Sequence, residues 1–330
     1  MRFAVFLPLV LPLTALPVAR LAADHLHPRT ATRLLTAVAV VLAACSTLCL
    51  ALLMVVGTAQ VPGNPLPDGW ADPEVRDEVP HVRLTGTLAI AGLLAVVAAA
   101  AVVVRRACRV RSAARRAVRE LPAQGDVAVL PDDEPYAFAL PGAGGEKPRV
   151  VVSTGMLRCL TPPEQHALIA HERAHLTGRH HRVLLAARLA AASQPLLRPL
   201  RTAIGYTVER WADEEAAQAV GDRRTTARAV GKAALATRGS APEGLPAFAA
   251  PAPGAGRGSA RGSAPGPVRG AVPRRVAALM GPMPDTAWPA PRSRAGLAAI
   301  VAAAGTTVSV MSAANATVAL FVILKAATPL

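Results

Sequence analysis

The run HERAHLTGRHH, from His171 to His181, holds four of the chain's eight histidines. Residues four apart share one face of an α-helix, so His171 and His175 can direct two imidazoles at one ion. Glu172, between them in an HExxH pattern, sits where it can reach a water on that ion. Zinc lowers the pKa of a bound water to near 7, and the adjacent carboxylate takes its proton as it attacks a peptide carbonyl. These residue types at this spacing therefore point to peptide hydrolysis with Zn2+ as the cofactor. Two residues compete for the third ligand position. Glu209 opens an E-x-x-A-D pattern one helix later, and Asp213, a turn further on, can orient a ligand imidazole from behind. His181 is the rival: with Gly178 it completes HExxHxxGxxH, an architecture that also requires a Met-turn beneath the metal. The downstream methionines are Met280, Met283 and Met311, beyond a Gly/Pro-rich stretch or inside an apolar run. That favours Glu209. With Glu209 as ligand, His180 and His181 are left as substrate-contacting or supporting groups; the plain alternative for ERWADEEA is an ordinary charged face.

The elements that must position these residues are legible around them. DVAVLPDD, YAFALPG and RVVVSTG are short β-prone runs bounded by Gly, Pro and Asp, and predict a small sheet. TPPEQHALIAHERAHL predicts a helix with Thr161 as N-cap, Pro162 in the first turn and Glu164 completing a capping box. Gly178 can end it. A second helix is expected over about 182–194, stopped by Pro195, and a third over about 207–220, stopped by Gly221. From about 239 to 275 the chain is Gly, Pro, Ala, Ser and Arg, with repeats such as GRGSARGSA. Such a composition predicts a linker without a core of its own. PRRVAALMG then reads as a short helix.

The rest of the chain is apolar in blocks. Hydrophobic residues make up 52% and charged residues only 17%, and a span needs roughly 20 mostly apolar residues. Leu34 to Gly57, Leu84 to Val104 and Gly296 to Leu324 reach that length without a charge. Phe3 to Val18 is a weaker fourth candidate, carrying Pro8, Pro12 and Pro17, and its alternative is a signal peptide. Arg20, Arg29 and Arg33 lie in one loop, and Arg105, Arg106, Arg109, Arg111, Arg115, Arg116 and Arg119 follow another span. Asp68, Asp72, Glu74, Asp77 and Glu78 crowd the loop between. The positive-inside rule then places both termini outside and everything between spans three and four in the cytoplasm. The arginine run reads as a juxtamembrane basic helix on anionic lipid rather than a nucleic-acid surface, for which interleaved aromatics are missing. Cys45, Cys49, Cys108 and Cys159 form no CxxC pair, which excludes a cysteine zinc site and a disulfide framework. High Arg, Ala and Pro usage fits a GC-rich, actinobacterial source.

In order, AFALPG, VVVSTGML, HERAH and ERWAD resemble the membrane metallopeptidases of the BlaR/MecR type. They are also similar to the CaaX prenyl proteases and the HtpX heat-shock proteases. The resemblance covers about residues 126–223. It implies a gluzincin site with His171, His175 and Glu209 on zinc, Glu172 as base and Asp213 in support. The implied fold is a mainly α, integral membrane protein with about four transmembrane helices. A cytoplasmic α+β gluzincin-like zinc peptidase domain would lie between spans three and four. The expected organisation is a three-span membrane region at 1–104, a peptidase domain at 105–237, a linker at 238–292, and a fourth span with a short tail at 293–330. The penicillin-binding sensor that follows the last span in the best-known BlaR/MecR proteins is expected to be missing. Some relatives also place a histidine after the glutamate ligand to stabilise the oxyanion, and here none follows His181. Tyr206, His180, Arg223 and Arg224 are the candidates to replace it. The implied partners are the lipid bilayer and a protein or peptide substrate, such as a repressor of the BlaI/MecI type. A membrane quality-control protease and a non-catalytic zinc-binding signalling scaffold are the alternatives.

Overall fold

The computed structural model describes residues 5–61, 63–64, 66–67, 70, 79, 81–118, 123–142, 145–237, 270–285, 287–288 and 290–327. The acidic loop residues 68, 72, 74, 77 and 78, Arg119, and the GRGSARGSA repeats lie outside the described residues.

Among the described residues, four helical stretches are long and apolar enough to cross a membrane. The first joins α1 (Leu7–Val10), a 3-10 turn and α2 (Ala15–His25). It is followed by α3 (Pro28–Ala59), α4 (Val82–Val118) and, at the far end of the chain, α11 (Arg294–Ala326). Pro8 and Pro12 sit in the first turns of their segments, where a missing N–H breaks no helical bond. Where α3 and α4 meet, a Cβ on Gly57 would lie 2.3 Å from the Gly86 Cα, and the reverse holds for Gly86. Glycine at both positions is what lets the two backbones approach so closely.

The arginine run belongs to α4 itself. It prolongs α4 without a break, so the expected boundary at 104/105 falls inside one helix. Ala114 and Val118, on its last turns, are buried against Tyr136, Phe138 and Val151 of the sheet. An apolar stripe between the arginines is thus covered by the sheet. The sheet has the order β1-β2-β4-β3, with β1 (Ala123–Gln124), β2 (Val127–Leu130), β3 (Ala137–Leu140) and β4 (Arg149–Ser153). β2 and β4 are parallel, and the outer pairs are antiparallel. Val151 faces the end of α4 while Val152 faces the helical side. Burial of both faces explains why RVVVS is continuously apolar instead of alternating.

The helical side comprises α5 (Thr154–Arg158), α6 (Pro162–Thr177), α7 (His180–Ser193), α8 (Arg198–Val220) and α9 (Arg223–Ala236). α6 begins with the expected capping box of Thr161 and Glu164. Glu164 is also buried against Lys232 of α9 at 2.7 Å. Burial opposes its charge, but Lys232 and the Thr161 N–H hold its pKa below the ordinary carboxylate range. α8 starts at Arg198, a full turn and more before the expected 207. Its early turns are specified by tertiary contact: Leu200, Ile204 and Val208 are buried in one core with Leu35, Val38 and Leu42 of α3. Last among these helices is α10 (Ala271–Met280). It falls inside the stretch expected to be linker, yet Leu279 is buried among Leu168, Val230 and Ala233.

The α7–α8 hairpin is wedged among the spans. At its tip Gln194 donates to the Leu9 carbonyl at 3.2 Å and lies 3.5 Å from the Ser46 hydroxyl. Ser46 is roughly 20 Å along α3 from Arg33, at 1.5 Å per residue. Lower down, Thr32 donates to Thr207 at 3.0 Å, a buried bridge between α3 and α8.

A methyl group at the Gly57–Gly86 crossing must push two helices apart. Gly86→Ala is expected to destabilise the detergent-solubilised protein by about 1–3 kcal/mol. Gly92→Ala is the control, because its Cβ would meet only Leu50 at 3.7 Å and should leave the thermal unfolding midpoint almost unchanged.

Candidate metal centre

HExxH lies on α6, buried between the sheet and α8, with His171 and Glu172 almost fully enclosed. The helix places the His171 and His175 Nε2 atoms 3.0 Å apart. From α8 the Glu209 carboxylate reaches 3.6 Å from each nitrogen, one oxygen to each. All three groups offer a donor atom within 4.8 Å of one another. Donors at 2.0–2.1 Å from a tetrahedral metal lie about 3.3 Å apart, so these separations fit one such ion. Glu209 retains 30% of its side-chain exposure, so the centre is open on its side.

The remaining nitrogens are occupied from behind. His171 Nδ1 lies 3.1 Å from Asp213 Oδ1, which selects the tautomer with a bare Nε2. His175 Nδ1 lies 2.9 Å from His180 Nδ1, and the His180 ring in turn packs on Trp211 with centroids 4.5 Å apart. If His175 directs Nε2 at an ion, its Nδ1–H donates to His180, whose own proton is then on Nε2. Two arginines at the start of α3 cover Trp211, Arg29 at 5.5 Å and Arg33 at 5.9 Å from the ring. A continuous chain of contacts therefore runs from the membrane helix to a candidate ligand.

Gly178 caps α6 as expected, but it is Arg179 that adopts the left-handed conformation, with φ 50°. The glycine serves another purpose: a Cβ there would lie 2.4 Å from His180 Nε2. Through this tight turn His180 swings back onto His175, while His181 is carried away. The His181 side chain lines a separate cavity between α4 and α7, and its carbonyl accepts from Arg111 at 3.4 Å. Among the described residues it is not part of the ligand cluster.

The residue that sequence reasoning missed is Arg275. On α10, it is 3% exposed and grips Asp213 with two hydrogen bonds, Nε to Oδ2 at 2.8 Å and Nη2 to Oδ1 at 2.6 Å. Its Nη1 lies 3.0 Å from Glu209 Oε2. Arg275 stood at the edge of a compositionally biased stretch, and only the 3.6-residue apolar spacing of VPRRVAALM signalled a packed helix. The four candidate oxyanion donors differ in what they touch. Arg223 pairs with Glu214 and donates to the Leu279 and Ala278 carbonyls, tying down the end of α10. Tyr206 lies beneath the Arg274 guanidinium at 4.3 Å, and His180 is engaged by His175. Arg224 uses its backbone N–H to complete the Asp222 cap of α9.

These charges set the proton affinities of the metal-free chain. Burial would raise the Glu209 carboxyl, but Arg275, then His175 and His171, reverse this and bring it down to about 2. Asp213 is likewise held well below the carboxylate range, by Arg275 and His171 against burial. His171 is raised to about 9, since its hydrogen bonds to Asp213 and Glu209 outweigh burial. Burial lowers His175 to about 3 and His180 to about 4, so both are neutral imidazoles at pH 7. Glu172 is raised by burial to about 7. A site that draws a proton onto His171 through two carboxylates offers the same attraction to a divalent cation, which would displace that proton.

Two imidazoles and a carboxylate, with a buried glutamate beside them, make up the donor set of a metal-dependent hydrolase. Residues 103–198 match the model of Peptidase family M48. The matched segment includes HExxH and ends before Glu209. It supports a metallopeptidase, with protein or peptide substrates, and the four apolar helices fit a membrane protein. Searches of curated proteins and of solved structures return no match.

Two outcomes test this arrangement. Zinc content measured on purified protein should fall to near zero in Glu209→Ala and stay at the wild-type level in His181→Ala. Arg275→Ala leaves two buried carboxylates without their cation, a change expected to cost about 3–5 kcal/mol in denaturant unfolding. Arg275→Lys should lose less, since it keeps the charge without the forked geometry.

Proposed function

We propose that the protein is an integral membrane zinc endopeptidase that cuts protein substrates on the cytoplasmic side of the membrane. His171, His175 and Glu209 hold the ion, Glu172 is the general base, and Asp213 orients His171. The observation that carries this reading is the convergence of the three donor groups beside a buried glutamate that none of them uses. Zinc, when bound, supplies Lewis acidity, polarising the scissile carbonyl and making water a nucleophile near neutral pH.

The chain's own groups account for the rest. Glu172 takes the proton of the attacking water on a carboxylate oxygen and returns it to the departing amine. A carboxyl whose pKa is lifted by burial towards neutrality suits both directions of transfer. Ala139 of β3 donates its backbone N–H to this carboxylate, which steadies the base and places β3 alongside it. β3 is an outer strand of the sheet. An extended substrate segment can pair with its open side, and its peptide bonds would then run past Glu172 and the ion. The positive-inside rule supports the cytoplasmic orientation, with Arg29, Arg33, Arg105 and Arg106 at the ends of the spans.

For substrate, the BlaR/MecR resemblance points to a cytoplasmic repressor of the BlaI/MecI type. The wedge of α7–α8 among the spans supports a second choice, membrane proteins presented at the bilayer edge for quality control. The test common to both is Glu172→Gln. It should retain zinc and lose about 10²–10⁴-fold in peptide cleavage, read by mass spectrometry on a peptide library. Wild-type protein that holds zinc yet cleaves no peptide would leave the signalling-scaffold reading in its place.

A further inference from the structure

A cavity of about 470 Å³ lies between α4, α7 and the end of β3. Arg111 and Arg115 border it from α4, His181 and Arg182 from α7, and Pro141 and Gly142 from the chain leaving β3. Arg111 and Arg115 are four residues apart, so they share one face of α4. Both are half-buried and anchored by one nitrogen: Arg111 donates to the His181 carbonyl and Arg115 to the Pro141 carbonyl, each at 3.4 Å. A guanidinium has five N–H donors, so each keeps others to offer. Arg182 is exposed. Among the described residues no carboxylate pairs with these three arginines, and none lines the cavity. His181 registers the positive field: burial, then the charges of Arg111, Arg182 and Arg179, lower its pKa to about 4.

The position of the cavity along β3 gives it meaning. Just ahead of β3 the Tyr136 carbonyl accepts from Ser153 of the neighbouring strand, and backbone groups alternate sides along a strand. Ala137 and Ala139 therefore present theirs to the open side, and the Ala139 N–H meets Glu172 there. Pro141 follows two residues on, roughly 7 Å at 3.4 Å per residue, and borders the cavity. A segment paired with β3 and cut beside Glu172 thus carries its second or third residue from the scissile bond past the arginines. Arg111 is roughly 10 Å along α4 from Val104, at 1.5 Å per residue, which puts the cavity beyond the apolar stretch. A charged side chain can enter it from water, with Leu185 and Leu189 as an apolar wall for its methylenes.

We propose that this cavity is a substrate subsite for an acidic side chain two or three residues from the scissile bond. The proposal rests on the peptidase reading above and names the substrate class: segments with Glu or Asp at that offset. The carboxylate accepts charge-assisted bonds from the free guanidinium N–H groups and offsets the mutual repulsion of the arginines.

The test uses short peptides, acetylated and amidated so that no terminal charge competes, which differ only in Glu or Gln at one position. The enzyme is the zinc-loaded full chain in neutral detergent. Wild type should cut the Glu peptide with a kcat/KM about tenfold above its Gln partner, the scale of one charge-assisted hydrogen bond. Moving the Glu along the peptide should move the cut with it. Arg111→Gln/Arg182→Gln should abolish the preference, whereas Arg105→Gln/Arg116→Gln, on α4 outside the cavity, should keep it. The preference compares two substrates of one preparation, so a smaller folded fraction cancels. Should the first double variant fail to fold, Arg182→Gln alone should reduce the preference about threefold. A second readout needs no cleavage: the same peptides, fluorescently labelled, should bind Glu172→Gln in the same order by anisotropy. No cleavage by wild type, with the Glu peptide still bound more tightly, would overturn the peptidase reading and support the cavity as an acidic-peptide site. Equal cutting and equal binding of the Glu and Gln peptides would overturn the proposal. So would a preference that survives Arg111→Gln/Arg182→Gln, or one lost as fully in Arg105→Gln/Arg116→Gln.

Discussion

Two carboxylates one turn apart on α8, Glu209 and Asp213, must stay ionised beside two imidazoles in a largely buried site. Charges in such surroundings persist only when paired, and Arg275 is the cation that pairs them. Its fork holds Asp213 through two bonds and reaches Glu209 with the third nitrogen. Asp213 can then keep His171 in one tautomer, and Glu209 can present both oxygens towards the imidazoles. The packing of α10 against α6 and α9, and the Arg223 contacts that secure its end, follow from the need to deliver that one guanidinium.

A second line of support comes from the membrane side. Arg29 and Arg33 cover Trp211, Trp211 stacks on His180, and His180 meets His175. The two candidate imidazole ligands are thus oriented from opposite directions, one by an acid–arginine pair in the peptidase segment and one by an aromatic stack rooted in a span. The hairpin of α7 and α8 joins both, because its residues are buried simultaneously in the bundle and around the site. The catalytic segment is not a separate globule attached to an anchor.

What could be read in the sequence was what local rules govern. Apolar runs of span length, β-prone runs bounded by Gly and Pro, and the T-x-x-E box all act through neighbours a few residues away. They matched four apolar helices, three strands and the start of α6. HExxH brings its own geometry, since a helix alone places His171 and His175 together. The first turns of α8 were missed because LLRPLRTAIGY carries no cap signal; burial of Leu200 and Ile204 against α3 makes them helical. β1 is two residues long and too short to announce itself. Arg275 was hidden because its partner Asp213 is 62 residues away in sequence, and an arginine in an Arg-rich stretch looks like every other. The inner face of the arginine run was hidden on the same ground: Ala114 and Val118 have meaning only against a sheet that follows them.

The distance along the chain from Asp213 to Arg275 also has a consequence for biosynthesis. A ribosome makes HExxH, then Glu209 and Asp213, and only much later the arginine that allows those acids to be buried as ions. During that interval the histidines and carboxylates are present without their counter-charge, and the site cannot settle into its final state. Assembly of the centre is therefore timed by the emergence of α10, just ahead of the last apolar helix. A growing chain completes this candidate centre only once α10 has followed its acids out of the ribosome.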